Sequence, residues 1–374
     1  MLKSGEIRSL TGLRGIAAFL VVLFHYRLHH EGGIYSQQFF SHGYLWVDMF
    51  FCLSGFVLSL SYGKRFQVPI TASIYRKFVL DRVARIFPLA WFITIVAFVC
   101  LRYGVYQLDA SATDQWSAFL PNMLLIQSWG LCKSVVLPAW SLSTEWAVSL
   151  CFPVLVLGIL RGGLRYTVAA GALSILALAW LALLPADITG VVRLHGPLDE
   201  TLGTNYAPLL RCAADFALGM VSFRLLNVPG VHRHVTKGWV SLTSIVLLGV
   251  LFVLPATDFW IVIVFPLLIA SLTSPTLIVS RVLGSAPLRF LGQISYSLYL
   301  THTVIISAVK DRVLLIGTQL HVPAVTTVSH MVTLGLCLAC SALSYRFIEI
   351  PGRDLLRNTF SLRRVPVGAE PSAP

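Results

Sequence analysis

Charge is scarce in this chain. Only 12% of its 374 residues are Asp, Glu, Lys or Arg, against 56% hydrophobic residues, and the mean hydropathy is +0.79. A soluble globule of this length needs more polar surface, so the composition excludes that class and indicates a polytopic helical membrane protein. Acidic residues are scarcer still, 16 against 28 Lys and Arg. The seven cysteines, Cys52, Cys100, Cys132, Cys151, Cys212, Cys337 and Cys340, fall mostly in apolar runs without metal-ligand spacing. They read as small hydrophobes and imply no disulfide framework. A cleavable signal peptide is also missing: the first apolar run is long, interrupted by Arg14 and lacks an A-x-A-like cleavage site, so it is expected to be a retained span.

What is present is a series of ten apolar segments, near 10–29, 45–62, 86–104, 139–160, 166–184, 206–226, 239–256, 259–280, 294–309 and 324–347. Each is close to the length a helix needs to cross about 30 Å of hydrocarbon. The expected fold is an all-α bundle of about ten transmembrane helices. A weaker stretch, Phe119 to Trp129, contains Pro121 and Asn122 and suits a short re-entrant or interfacial segment between the third and fourth helices. Residues 1–353 form the transmembrane domain, and 354–374 a short basic, then Pro-rich tail expected to be disordered.

Ten crossings with both termini cytoplasmic put twenty of the 28 Lys and Arg residues on the inner side and six on the outer, with Arg14 and Arg211 inside helices. The bias satisfies the positive-inside rule. It accounts for the net charge of +12 without nucleic acid, and a basic inner face suits anionic lipid headgroups.

Polar residues inside these segments are functional-site candidates because they are costly there. Arg14 and His25 are eleven residues apart in RSLTGLRGIAAFLVVLFHY, so they share one helix face about 16 Å apart along its axis. The orientation puts Arg14 towards the cytoplasm and His25 towards the exterior. Asp48 in the second segment and Glu145 in the fourth fall at the same outer depth as His25. A histidine beside a carboxylate is an arrangement suited to general-base catalysis, and the spacing leaves open which carboxylate is the partner. On the inner side, Arg82 and Arg85 share a helix face leading into Pro88. Paired guanidinium groups suit a phosphate-bearing ligand.

Several other assignments are open to structural readings. His25 is also compatible with a structural hydrogen bond to a neighbouring helix. A metal site at His25, His29, His30 and His42 is set aside, because His29 and His30 fall beyond the helix end. Arg211 and Asp215, four residues apart, are expected to form an intrahelical ion pair that can also line the outer cavity. Trp116, Trp129 and Trp140 are expected to be interface anchors. A proton-coupled transporter is the rival class, but the related halves it calls for are not visible as an internal repeat.

The combination of Arg14 and His25, FFCLSGF (Phe50 to Phe56), RVARIFP (Arg82 to Pro88), WSLSTEW (Trp140 to Trp146), SYSLYLTH (Ser295 to His302) and a closing YRFIEIP resembles acyltransferase family three, the bacterial transmembrane O-acyltransferases. The resemblance covers roughly residues 8–353. It implies transfer of an acyl group, commonly acetyl, from cytoplasmic acyl-CoA to a hydroxyl of a glycan such as exopolysaccharide, lipopolysaccharide or a lipid-linked sugar, or of a small natural product such as a macrolide. It implies the bacterial inner membrane as location. Membrane lipids and the acceptor are then the partners, with a second copy of the chain or glycan-assembly proteins left open. His25 would either deprotonate the acceptor for direct attack or carry the acyl group as an acyl-imidazole. Arg14, Arg82 and Arg85 would hold CoA, and Ser54, Tyr296, His302 and Arg211 would face substrate. Ser54, Ser143 and Tyr296 are candidate oxyanion donors. The chain differs from larger members that append a soluble esterase-like domain, so acceptor choice is expected to lie in its outer loops or a partner.

Overall fold

A chain this apolar must satisfy its backbone hydrogen bonds within each segment, and helices do so. The computed structural model describes residues 6–27, 34–66, 70–106, 116–184, 193–199 and 205–360. Among these the regular structure is helical, with no strand. In chain order the helices are α1 (Arg8–Arg27), α2 (Ile34–Ser41), α3 (Trp46–Tyr62), α4 (Ala72–Arg102), α5 (Phe119–Met123), α6 (Ala139–Leu150), α7 (Phe152–Leu155), α8 (Leu164–Leu183), α9 (Ala207–Leu226), α10 (Pro229–Val235), α11 (Gly238–Val253), α12 (Asp258–Ser271), α13 (Ile278–Leu283), α14 (Ala286–Gln293), α15 (Ser295–Gln319), α16 (Val325–Ser344) and α17 (Ile350–Thr359). A wide turn, Val156–Arg161, extends α7, and another, Tyr345–Glu349, joins α16 to α17.

All ten expected segments carry a helix, but among the described residues five helices are long and apolar enough to cross a membrane, or up to seven if two bent pairs each count as one span. One bent pair is α6 with the helix that follows it, 58° apart. The expectation of ten crossings is therefore reduced by this measure. Charge and length explain the difference: α9 carries Arg211, Asp215 and Arg224, α15 carries Lys310, Asp311 and Arg312, and α12 has only 14 residues. The weak stretch after α4 is a five-residue helix followed by turns. It is tied to its neighbours by Asn122, whose Oδ1 accepts from Val135 N–H at 2.9 Å, and by Trp91 Nε1, which donates to Met123 O at 2.9 Å. The expected tail begins inside α17, so residues 354–359 are helical rather than disordered, and residues 361–374 lie outside the described set.

Two close helix contacts set the frame of the site. Helices α3 and α9 meet at small residues: a Cβ on Gly219 would lie 1.9 Å from Cys52 O. Helices α1 and α14 meet likewise, where a Cβ on Gly15 would lie 2.5 Å from Gly292 N. Small residues let backbones approach this closely, which is how helices gain packing energy when the surroundings are as apolar as the side chains. The first contact carries Asp48 towards Arg211. The second puts Arg14 beside the end of α14.

Candidate active site

His25, on α1, points at α15. Its Nδ1 lies 3.0 Å from Val21 O and 3.2 Å from Nε2 of His302, whose own Nδ1 lies 3.1 Å from Leu298 O. A carbonyl only accepts, so both Nδ1 atoms carry protons. The His25 Nδ1–H is then shared between the Val21 carbonyl and the His302 Nε2 lone pair, and His25 Nε2 keeps a free lone pair. His302 is fully buried and His25 partly so. An imidazole held in one tautomer with Nε2 unprotonated is competent as a general base.

Neither expected carboxylate is the partner of His25. Asp48 accepts from Arg211 Nε at 2.6 Å and from Arg211 Nη2, a two-pronged pair in which both side chains are fully buried. Arg211 Nη1 donates to Leu198 O at 2.6 Å, and its guanidinium lies over the rings of Tyr44 and Trp140, 5.2 and 5.6 Å from their centroids. The expected Arg211–Asp215 pair is thus replaced by a pairing between helices. A planar fork matches a carboxylate with two parallel bonds, and Asp48 supplies that geometry. Asp215 is buried next to Asp48, and neither of its carboxyl oxygens receives a bond from an N–H or neutral O–H donor among the described residues. Trp140, expected at an interface, is buried against this pair and against Phe51.

Glu145 belongs to a second group. Its Oε1 accepts from Arg82 Nη2 at 2.5 Å and from Ser54 Oγ at 2.6 Å. Both bond to one side of a cavity of about 530 Å³ that runs along α3 and is also lined by Arg14, Arg85, Tyr296, Tyr299 and Glu349. Arg14 Nη2 donates to Gly292 O at 2.9 Å, while its Nε and that of Arg82 are buried without a partner among the described residues. Arg85 is exposed. Glu349, placed by the wide turn before α17, accepts from Ser297 Oγ at 2.8 Å. Of the candidate oxyanion donors, Tyr296 OH donates to Ile86 O at 2.6 Å, Ser54 to Glu145, and Ser143 Oγ accepts from Ser128 N–H at 3.1 Å. The protons of Ser54 and Tyr296 are committed to protein acceptors.

The structure therefore brings together Arg14, Arg82, Arg85, Ser54, Glu145 and Tyr296 in one cavity, and His25 with His302 in a separate pair. Asp48 and Arg211 belong to neither. The cavity lining stops short of His25 at Phe50, Ser141 and Tyr299. Tyr299 OH and Ser141 Oγ are 2.7 Å apart, and the Tyr299 ring packs 5.6 Å from Phe50 and 6.2 Å from His302. The partition is Tyr299, which sequence reasoning missed; its signal was a polar residue three positions before His302 in an apolar helix.

A helical membrane bundle with a tautomer-set imidazole near an arginine-lined cavity has the equipment of a membrane-embedded transferase. Residues 7–342 match the acyltransferase domain family Acyl_transf_3, and the chain belongs to that family. It is similar to acyltransferase MdmB of Streptomyces mycarofaciens, 28% identical over 80% of this chain and 79% of that protein. It is also similar to putative O-acetyltransferase SACOL0978 of Staphylococcus aureus, 25% identical over 94% of this chain, and to peptidoglycan O-acetyltransferase OatA of Listeria monocytogenes, 24% identical over 93%. It spans 58% and 56% of the length of those two relatives. No solved structure matches it. The chain is an O-acyltransferase, which displaces the transporter alternative, and a membrane protein by its apolar helices and its family.

Proposed function

We propose that the protein transfers an acyl group, acetyl in the simplest case, from cytoplasmic acyl-CoA to a hydroxyl of an envelope glycan in the bacterial inner membrane, with both termini in the cytoplasm. The observation that carries this reading is the placement of two groups on either side of Tyr299: an arginine-lined cavity suited to phosphates, and an imidazole with a free Nε2. The basic bias of the chain ends supports a cytoplasmic mouth for the cavity. A relative named for peptidoglycan O-acetylation supports a glycan acceptor.

In this reaction His25 Nε2 takes the proton of the acceptor hydroxyl as its oxygen attacks the thioester carbonyl. Collapse of the tetrahedral intermediate breaks the carbon–sulfur bond, and the leaving thiolate takes the proton back from the imidazolium. The products are an ester and CoA. His302 holds the reactive tautomer in place; Arg14, Arg82 and Arg85 hold the phosphates. Thioester and base meet only when Tyr299 turns aside.

Purified protein given acetyl-CoA should release thiol only when a glycan acceptor is present, with an acetyl ester appearing on the glycan by mass spectrometry. Release with a macrolide-like alcohol and not with glycan fragments would move the acceptor to the natural-product class. No thiol release with any hydroxyl acceptor would end the CoA reading.

A further inference from the structure

Arg211 and the two arginines of α17 differ in how fully their donors are used. Arg211 is saturated: Nε, Nη1 and Nη2 all have acceptors, and it has no exposed surface. That is how a structural arginine looks. Arg353 and Arg357, on the C-terminal helix α17, also line the cavity and are far from saturated. Arg357 reaches Asp81 only at 3.5 Å, and its Nε is buried without a partner among the described residues. Arg353 Nε reaches the neighbouring Asp354 at 3.3 Å, a carboxylate half exposed to solvent. A guanidinium has five donors, so both side chains keep most of their hydrogen-bonding capacity for something else.

Their position says what that is. Four residues apart on one helix, they share a face about 6 Å apart along the axis. Helix α17 is pressed on α4 where Gly352 meets Pro88, a contact so close that a Cβ on Gly352 would lie 2.5 Å from the proline Cβ. This fixes Arg357 beside Asp81 of α4, which also accepts from Tyr62 OH at 3.3 Å. Tyr62 ends α3, whereas Phe50, against Tyr299, lies twelve residues earlier. The cavity therefore extends about 18 Å along α3, with the partition to the imidazole pair at one end and Arg353 and Arg357 at the other.

Acyl-CoA is a long ligand with its thioester at one end and a 3′-phosphate on the adenosine at the other. If the thioester lies at Tyr299, the deeper arginines meet the diphosphate. We infer that Arg353 and Arg357 form the subsite for the 3′-phosphate of the acyl donor, with Asp81 holding Arg357 in place until the phosphate replaces it. The inference rests on the CoA reading above and adds to it the residues that recognise the far end of the donor.

The test crosses residue against ligand group. Binding of CoA and of 3′-dephospho-CoA to the full-length detergent-purified protein is measured by calorimetry for the native chain, Arg357→Ala, Arg357→Lys, Arg353→Ala and Asp81→Asn. The native chain should prefer CoA over dephospho-CoA by about tenfold or more, the scale of a charge-assisted hydrogen bond. Each alanine variant should bind dephospho-CoA as the native chain does and lose the preference, Arg357→Lys should keep part of it, and Asp81→Asn should increase it. Unchanged dephospho-CoA binding also shows that the variants are folded. Equal preference in native and alanine variants, or no preference in the native chain, overturns the inference while leaving the CoA reading standing. Loss of the preference when phosphatidylglycerol is added would assign the two arginines to a lipid headgroup and overturn it too. Failure of the native chain to bind CoA in either form overturns the CoA reading, and the subsite falls with it.

Discussion

Nε2 of His302 lies 3.2 Å from Nδ1 of His25, and the carbonyls of Leu298 and Val21 set the proton on each ring. The pair does what a carboxylate does elsewhere, with one difference. His302 can accept from the His25 N–H, but it brings no negative charge to stabilise the imidazolium.

Replacing His25 with alanine should therefore remove about 10²–10⁴-fold of the transfer rate while the protein inserts and elutes normally. Replacing His302 with alanine should lower kcat with little effect on the KM for acetyl-CoA. His302→Gln, whose amide oxygen accepts from the same N–H, should restore part of the rate. A His302→Gln variant no better than alanine would show that the ring, not the accepted proton, is what matters.

Asp48→Ala leaves the Arg211 guanidinium buried without its carboxylate, and loss of one member of such a pair costs about 3–5 kcal/mol. The expected result is a large fall in thermal midpoint or loss of folded protein in detergent. Asp215→Asn should have the opposite character: the carboxyl sits beside the Asp48 carboxylate and receives no other donor among the described residues, so an amide that can donate to Asp48 should cost less than about 1 kcal/mol. Equal damage from both would mean that Asp215 shares Arg211 after all.

The α3–α9 contact leaves no room for a side chain at Gly219. Gly219→Val should separate the helices, at a cost of about 1–3 kcal/mol or more, and should destabilise together with Asp48→Ala less than additively, since both disturb one contact. A thermal-shift series of the two single variants and the double variant measures this.

Tyr299 separates the arginine-lined cavity from the imidazole pair. Tyr299→Phe removes the bond to Ser141, worth about 1 kcal/mol, and keeps the partition, so transfer should continue. Tyr299→Ala should open the partition and let water reach the thioester. Thiol release from acetyl-CoA without acceptor should then rise, and a rate identical to the native chain would show that the ring is no barrier.

The apolar segments, the helical class and the shared face of Arg14 and His25 were legible because hydropathy and helix periodicity are local properties. So was the cavity set on α4, since Arg82 and Arg85 are three residues apart. Span count was less legible: α9 holds Arg211 and Asp215, buried charges that only its packed surroundings accommodate, and α15 carries Lys310, Asp311 and Arg312 within its length. The carboxylates misled because position along a helix does not tell which neighbour a side chain meets: Glu145, expected at the outer depth of His25, bonds Arg82 of the inner set, and Asp48 turns to Arg211.

The amino-acid order alone determined a helical membrane protein with a histidine and arginines inside its apolar segments. The tertiary structure decided the partners: His25 with His302 across 277 residues, Arg211 with Asp48 across 163 rather than with Asp215 four residues away. A buried charge takes the partner that offers the best two-pronged geometry, and that geometry exists only once glycines have let the helix backbones come together.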